Sequence, residues 1–311
     1  MNGVIIVDKP AGWTSHDVVN RLRRILQQRS VGHLGTLDPL ATGVLPLVTG
    51  SLTRLAQFYI ASEKSYEGVI HFGFATNTYD ADGEPLGDAV PVSLSLRDLQ
   101  ELATQFLGLI EQVPPPFSAK KIKGVPAYKL ARKQQDVALP PVQVETKEFA
   151  ITAVDAGRAH FRARVASGTY MRSIAHEMGQ RIGCGAHLES LRRTAVAEFD
   201  ISQAHTIEEI ESKMKDCPSE PGSRPGEEPA VSHHEGIAAL FIHPRQLLPH
   251  FPSVTADEPT AARIRSGRPV NLPQLSRARQ VKVFAGQSEL IAIATRVAGT
   301  LFHPKIVFPP E

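Results

Sequence analysis

Cysteine is nearly absent from this 311-residue chain, which contains only Cys184 and Cys217. Cys184 is wedged between Gly183 and Gly185, and Cys217 stands in a Pro-rich stretch. Neither a disulfide framework nor a zinc site is indicated, and a reducing cytoplasm is the expected compartment. Long apolar runs are also missing. The opening stretch from Met1 to Ser15 has too short an apolar run for a secretory segment and is interrupted by Asp8 and Lys9. Nothing later approaches the ~20 apolar residues that a membrane helix needs. No internal repeat is evident, and no charge sign dominates: 34 Lys and Arg face 32 Asp and Glu.

What is present is an ordinary globular composition, 42% hydrophobic and 21% charged, in a chain long enough for one large and one small domain. The small net charge hides an uneven distribution. Val18 to Leu37 carries Arg21, Arg23, Arg24 and Arg29 without an acid. Ser118 to Gln135 carries Lys120, Lys121, Lys123, Lys129, Arg132 and Lys133, again unopposed. Thr260 to Ser288 carries Arg263, Arg265, Arg268, Arg277, Arg279 and Lys282. The acids gather between Ile207 and Gly236, where Glu208, Glu209, Glu211, Asp216, Glu220, Glu227, Glu228 and Glu235 outnumber three bases. One basic run alone reads as a solvated helix face; three together point to a phosphate backbone.

The stretch from Cys217 to Gly236, rich in Pro, Gly, Ser and Glu, reads as a flexible linker with almost nothing to bury. His233, His234 and Cys217 fit no metal-site spacing. Upstream, Gly3 to Val7 reads as a buried strand. A helix follows near Thr14, with Thr14 and Asp17 as a capping box and Val18, Leu22, Ile25 and Leu26 on one face. Ser95 and Asp98 open a second helix with Leu96, Leu99, Leu102 and Phe106 as its stripe. Tyr66 to Phe74 and Ala159 to Ala166 read as strands, and a helix follows from about Thr169 with Ile174, Met178 and Ile182 inward. The expected class is α+β, a mixed, largely antiparallel sheet with flanking helices. Val281 to Phe284, Leu290 to Val297 and Lys305 to Phe308 form a small β-barrel-like unit after the linker. The expected division is 1–205, a linker over 206–240, and 241–311.

The loop Gly32-His33-Leu34-Gly35-Thr36-Leu37-Asp38-Pro39-Leu40-Ala41-Thr42-Gly43 carries the one acid between Asp17 and Glu63, among bases. It lacks the Gly-Lys-Ser/Thr ending of a phosphate cradle and the spacing of a dinucleotide loop. Read alone, Asp38-Pro39 is a turn pair. Several separated motifs give it more meaning. Asp8-Lys9-Pro10-Ala11-Gly12-Trp13-Thr14-Ser15, the Asp38 loop, Lys64-Ser65-Tyr66, Thr78-Tyr79-Asp80-Ala81-Asp82-Gly83, Ser167-Gly168-Thr169-Tyr170-Met171-Arg172, and Gly185-Ala186-His187-Leu188 with Leu191-Arg192-Arg193 occur in this order. Over residues 3 to about 205 the chain resembles the bacterial tRNA pseudouridine-55 synthases, the TruB family. It departs from the common pattern at Met171, where Ile is usual, and in the length of the acidic stretch after Gln203.

The resemblance implies a pseudouridine synthase fold over 1–205 and a PUA-like RNA-binding unit over 241–311. It also implies isomerisation of uridine 55 in the T loop of tRNA, with the base detached at N1 and rejoined at C5. Positive character at C1′ calls for a nearby carboxylate, as in glycoside hydrolysis, and no metal or organic cofactor is implied because the same base leaves and returns. The matching carboxylate is Asp38. Tyr66 matches a tyrosine that stacks on the flipped base, and Arg172 an arginine that pairs with the aspartate. Leu191 matches an apolar pocket wall, His33 a histidine that helps displace the base, and Tyr170 a further substrate contact. Lys9, Lys64, Lys120 and Lys121 are expected phosphate contacts, whereas Asp80 reads as a turn residue without a catalytic role. The implied partner is the tRNA T-arm stem-loop, bound by a cytoplasmic monomer without a membrane or a guide RNA. A guide-RNA particle is disfavoured by the form Leu40-Ala41-Thr42-Gly43 and the lack of a long N-terminal extension, and a non-catalytic RNA-binding protein by the joint presence of Asp38, Tyr66 and Arg172.

Overall fold

The computed structural model describes residues 1–118, 120–122, 124–133, 135, 138–215 and 237–310. Cys217, His233, His234, the linker expected from Cys217 to Gly236, and Lys123 lie outside the described residues.

The first part of the chain runs Gly3–Lys9 (β1), Ser15–Ile25 (α1), Val31–His33 (β2), Thr42–Thr49 (β3), Ala56–Tyr59 (α2) and Lys64–Phe72 (β4). Leu96–Thr104 (α3), Gly108–Gln112 (β5), Lys121–Ile122 (β6), Val125–Pro126 (β7) and Ala127–Ala131 (α4) follow. Val142–Asp155 (β8), Arg158–Val165 (β9), Met171–Ile182 (α5), Ala186–Val196 (β10), Phe199–Asp200 (β11) and Ile207–Lys215 (α6) complete it. The helices start where their caps dictate. Thr14 accepts from the Asp17 amide while the Asp17 carboxylate accepts from the Thr14 amide, the reciprocal box that satisfies two orphan donors of α1. Ser95 accepts from the Asp98 amide at the start of α3, and Gly183 closes α5 in the left-handed region.

The main sheet has the order β1-β3-β10-β4-β9-β8-β5, with β2 on β3 and β11 on β10. Every pairing is antiparallel except β3 with β10, so the mixed, largely antiparallel expectation holds. Helices α1, α3, α5 and α6 cover one face over a core that includes Val18, Leu22, Ile70, Phe161, Ile174 and Met178. The outer edge of β1 is blunted by local backbone pairing, with the Asp8 amide donating to His205 and the Ile242 amide to Val4.

The acidic stretch begins differently from the expected linker. Residues 207–215 form α6, because Ile207 and Ile210 fall one turn apart and bury against the helical face of the sheet. Leu240 and Phe241 join the same core. Leu96, expected on the buried stripe of α3, is 39% exposed at its first turn.

The last part contains Ser253–Ala256 (β12), Glu258–Arg265 (α7), Val270–Asn271 (β13), Gln280–Ala285 (β14), Glu289–Ala298 (β15) and Leu301–Val307 (β16). Its five strands run β12-β14-β15-β16-β13 around a core of Val281, Val283, Ile291 and Phe302; three of them, β14 to β16, match the expected strands, while β12 and β13 were not foreseen. A second apolar cluster joins it to the first part. Val4, Ile6, Val44 and Val48 from β1 and β3 pack with Leu247, Leu248, Phe284, Ile293 and Phe308.

Candidate active site

Two strands and one helix converge on the loop between β2 and β3. Its backbone is tied down from beneath. The Ser15 hydroxyl, at the start of α1, accepts from the Leu37 amide at 2.8 Å and donates to the Leu37 carbonyl at 3.1 Å. The Gly12 amide donates to the Pro39 carbonyl. Lys9 Nζ donates to the carbonyls of Pro10, Trp13 and Pro39. Gly43 has φ +97°, and a Cβ there would sit 2.2 Å from the Arg193 carbonyl, so only glycine lets β3 and β10 meet at the end of this loop.

Asp38 stands at the tip with its side chain 39% exposed, while Arg172 is buried behind it. Arg172 is the second residue of α5, and its Nε lies 2.9 Å from Asp38 Oδ2. The rest of the guanidinium is shared. Nη1 donates to the Thr78 carbonyl and lies 3.4 Å from Asp80 Oδ2, and Nη2 donates to the Phe117 carbonyl. One buried cation therefore bridges the Asp38 loop, the turn over 76–83 and the root of the arm that carries Lys120 and Lys121. The carbonyls of Thr78 and Phe117 fix the guanidinium, and its ion pair with Asp38 leaves the carboxylate part-exposed to solvent.

Asp80 is the residue that the sequence reading undervalued. It does form a turn, accepting from the Thr78 hydroxyl and the Asp82 amide, but it is 5% exposed and aimed at Arg172. Burial pushes its carboxyl above the usual range, opposed by the Thr78 hydrogen bond and by Arg172. An Asp-x-Asp-Gly turn gives no local sign of such a contact, because it depends on α5 arriving from more than ninety residues away.

Tyr66 on β4 is buried and faces Arg193 of β10 in cross-strand register. Leu191, also on β10, is buried opposite Gly68. Leu191, Leu40, Thr42, Glu67, Arg162 and Arg192 border a groove of ≈ 590 Å³ beside the loop. Tyr170 precedes α5, its backbone held on both sides by the Gln112 side chain. Burial and then the Asp38 charge push its phenol upward. His33 ends β2 and accepts from the Gly35 amide; burial and then Arg193 depress its pKa, favouring the neutral ring.

The four expected phosphate lysines separate into two kinds. Lys120 and Lys121 are exposed. Lys9 and Lys64 are not: Lys9 is 0% exposed, and Lys64 is buried with Nζ on the Ser62 carbonyl. Burial lowers both to about 8. Lys9, enclosed and satisfied by three carbonyls including that of Pro39, is reassigned to holding the loop, while Lys64 is buried beside the loop with its ammonium on the Ser62 carbonyl.

Comparison with known proteins identifies the family. The TruB family pseudouridylate synthase N-terminal domain matches residues 23–171, and the tRNA pseudouridylate synthase B C-terminal domain matches residues 172–220. The tRNA pseudouridine synthase B of Solibacter usitatus is 46% identical over 311 residues, covering 99% of this chain and 100% of the relative. That of Stutzerimonas stutzeri is 36% identical, covering 94% and 91%. Among solved structures, a Cbf5-Nop10-Gar1 complex gives a TM-score of 0.70 at 24% identity over 99% of this chain and 85% of that one, a likeness of fold. An H/ACA RNP bound to a substrate RNA containing 2'-deoxyuridine gives 0.69 at 23%, covering 99% and 85%. With full-length identity to its relatives and the motifs gathered around one loop, the chain belongs to the TruB family of pseudouridylate synthases.

Proposed function

We propose that this enzyme isomerises uridine 55 in the T loop of tRNA, with Asp38 as the essential carboxylate. The observation that carries the reading is the half-exposed Asp38 held at 2.9 Å by buried Arg172, on a loop clamped from beneath. Uridine isomerisation in tRNA follows from the family; the T-loop position and the residue roles are our assignment.

The target base is stacked inside a folded loop and has to be flipped out before chemistry. His33, as the neutral ring, helps displace it. Tyr66 provides the stacking surface, Leu191 the apolar wall and Tyr170 a further contact. Asp38, oriented by Arg172, then acts at the sugar or the ring as the N1–C1′ bond breaks. The freed uracil turns within the groove and rejoins through C5; the C5 proton leaves to solvent while N1 takes one up, so the product is an isomer of the substrate. Base and sugar are the same before and after, so the balance of the reaction calls for no cofactor. Lys120 and Lys121 contact phosphates from the arm. Residues 241–311 serve as a PUA-like RNA-binding unit, and the protein acts in the cytoplasm as a monomer without a guide RNA.

The test is a T-arm stem-loop tritiated at uridine C5, incubated without guide RNA. Wild type is expected to release tritium in proportion to product. Asp38→Asn is expected to lose release while keeping most of its RNA affinity. A silent wild type on the correct stem-loop defeats the substrate assignment, and a turning-over Asp38→Asn variant defeats the choice of carboxylate.

A further inference from the structure

Arg193 heads the large side chains that are wholly enclosed among the described residues. It is a cation in the middle of a sheet, and no carboxylate among the described residues forms an ion pair with it. Burying a guanidinium in this way is unfavourable, and an apolar side chain would fill the volume without that penalty. Each of its three nitrogens nonetheless donates to a backbone carbonyl. Nε donates to the Val44 carbonyl at 2.7 Å, Nη1 to the Thr36 carbonyl at 3.1 Å and Nη2 to the Gly35 carbonyl at 3.1 Å. Two of those acceptors belong to the loop that carries Asp38, and the third to β3 just beyond it.

The backbone of Arg193 makes the same connection. It pairs with Gly43 of β3 on one side and with Tyr66 of β4 on the other. Arg193 is thus the point where the strand leading out of the Asp38 loop and the strand carrying Tyr66 are joined. Tyr66 stands directly across from Arg193 in the β4–β10 register, and its phenol is an electrostatic neighbour of the guanidinium. A strand irregularity follows Arg193 directly, between it and Ala195, which lets the side chain turn under the loop.

We propose that Arg193 is a positioning residue for the isomerisation, setting the height of the Asp38 loop and the tilt of the Tyr66 ring together. A lysine could supply the charge but not three directed donors in a fixed plane, and a glutamine could supply neither. The proposal rests on the roles assigned above to Asp38 and Tyr66.

The test compares Arg193→Gln and Arg193→Lys with wild type by single-turnover tritium release. Stem-loop affinity by fluorescence anisotropy and the thermal midpoint are measured alongside. Arg193→Gln is expected to slow the single-turnover rate ten-fold or more with affinity changed by less than about three-fold; Arg193→Lys is expected to recover part of the rate. In a double-mutant cycle with Tyr66→Phe, the losses are expected to multiply incompletely, because the two residues face each other across the strands and the phenol beside the guanidinium is already altered. That coupling is a readout that general loosening of the fold does not move. Should Arg193→Gln fail to fold, Arg193→Lys decides: a slowed rate at unchanged affinity supports the proposal, and wild-type speed overturns it. A wild-type rate in folded Arg193→Gln, or full independence from Tyr66→Phe, also overturns it. Asp38→Asn measured in parallel separates this from the parent reading, since residual turnover there removes the parent reading whatever Arg193 does.

Discussion

At the scale of single residues, the floor of the site is cationic. Lys9, Lys64 and Arg193 sit beneath one loop; burial opposes the charging of both lysines, Arg193 adds to it, and for Lys9 the Asp38 charge acts the other way. The consequence for pH dependence follows from linkage. Each folded lysine titrates near 8, whereas the unfolded chain holds its proton up to about 10.5. Between those values the unfolded state binds more protons, so the contribution of these groups to stability rises with pH. For Lys64, allowing for solvent screening, the gain is of order 1 kcal/mol. Urea midpoints at pH 7.5 and 9.5 check it: wild type should gain relative to Lys64→Met as the pH rises, and parallel curves mean that the lysine is not perturbed. Activity should move the other way. Lys9 gives three carbonyls one donor each, and the neutral amine has only two protons.

At the scale of elements, what could be read in advance depended on whether local pattern and tertiary role agree. Helices α1, α3 and α5 carry their caps and their stripes in consecutive residues, so their presence was legible; so were β4 and β9, where burial alternates cleanly along Phe161, Ala163 and Val165. Of the strands that were not foreseen, three are long enough to show why. β8 is irregular between Thr146 and Glu148 and again between Ile151 and Ala153, which breaks its period of two. β10 has two such irregularities and turns Arg193 inward, where a pattern reader expects an apolar residue. β3 contains Pro46, tolerated because β3 pairs with β10 only at Thr42 and Gly43 and with β2 only from Leu47 onward. The site was legible to the same degree. Asp38 and Arg172 come together as the motifs implied, but Asp80 and Arg193 gain their meaning only from strands and helices distant in sequence. The junction of β3 and β10 is the element on which this depends. Gly43→Ala places a Cβ against the Arg193 carbonyl at a backbone angle that alanine disfavours, at a cost of roughly 2–5 kcal/mol. Gly12→Ala is the control, since its φ is also positive but nothing lies within 4 Å of the added atom. Its expected cost is about 1 kcal/mol. Urea midpoints on the two variants, with tritium release for Gly43→Ala, check the difference, and equal costs would show that crowding against β10 is absent.

At the scale of the molecule, the last seventy residues are more than a module on a tether. Val4, Ile6, Val44 and Val48 present one face of β1 and β3 to Leu248, Phe284, Ile293 and Phe308, so neither part completes its core alone. A polar latch lies within that contact. Tyr59 donates to Glu198 Oε1 at 2.6 Å, and the Leu248 amide donates to the same oxygen at 2.8 Å. Burial and then Glu198 drive the Tyr59 phenol far above its ordinary range, so it stays protonated and keeps donating. Lys282 Nζ caps the Arg245 and Leu247 carbonyls on the other side of Leu248. A shared core predicts shared unfolding: calorimetry should show one cooperative transition rather than two. Glu198→Ala should lower its midpoint, because the buried Tyr59 hydroxyl loses its acceptor at a cost of roughly 1–3 kcal/mol, while the Leu248 amide keeps only its longer bond to the Tyr59 oxygen. Tyr59→Phe should cost less, since the carboxylate keeps the Leu248 amide. Two separable transitions, with Glu198→Ala moving only one, would mean that the parts fold independently and that the apolar contact between them contributes little.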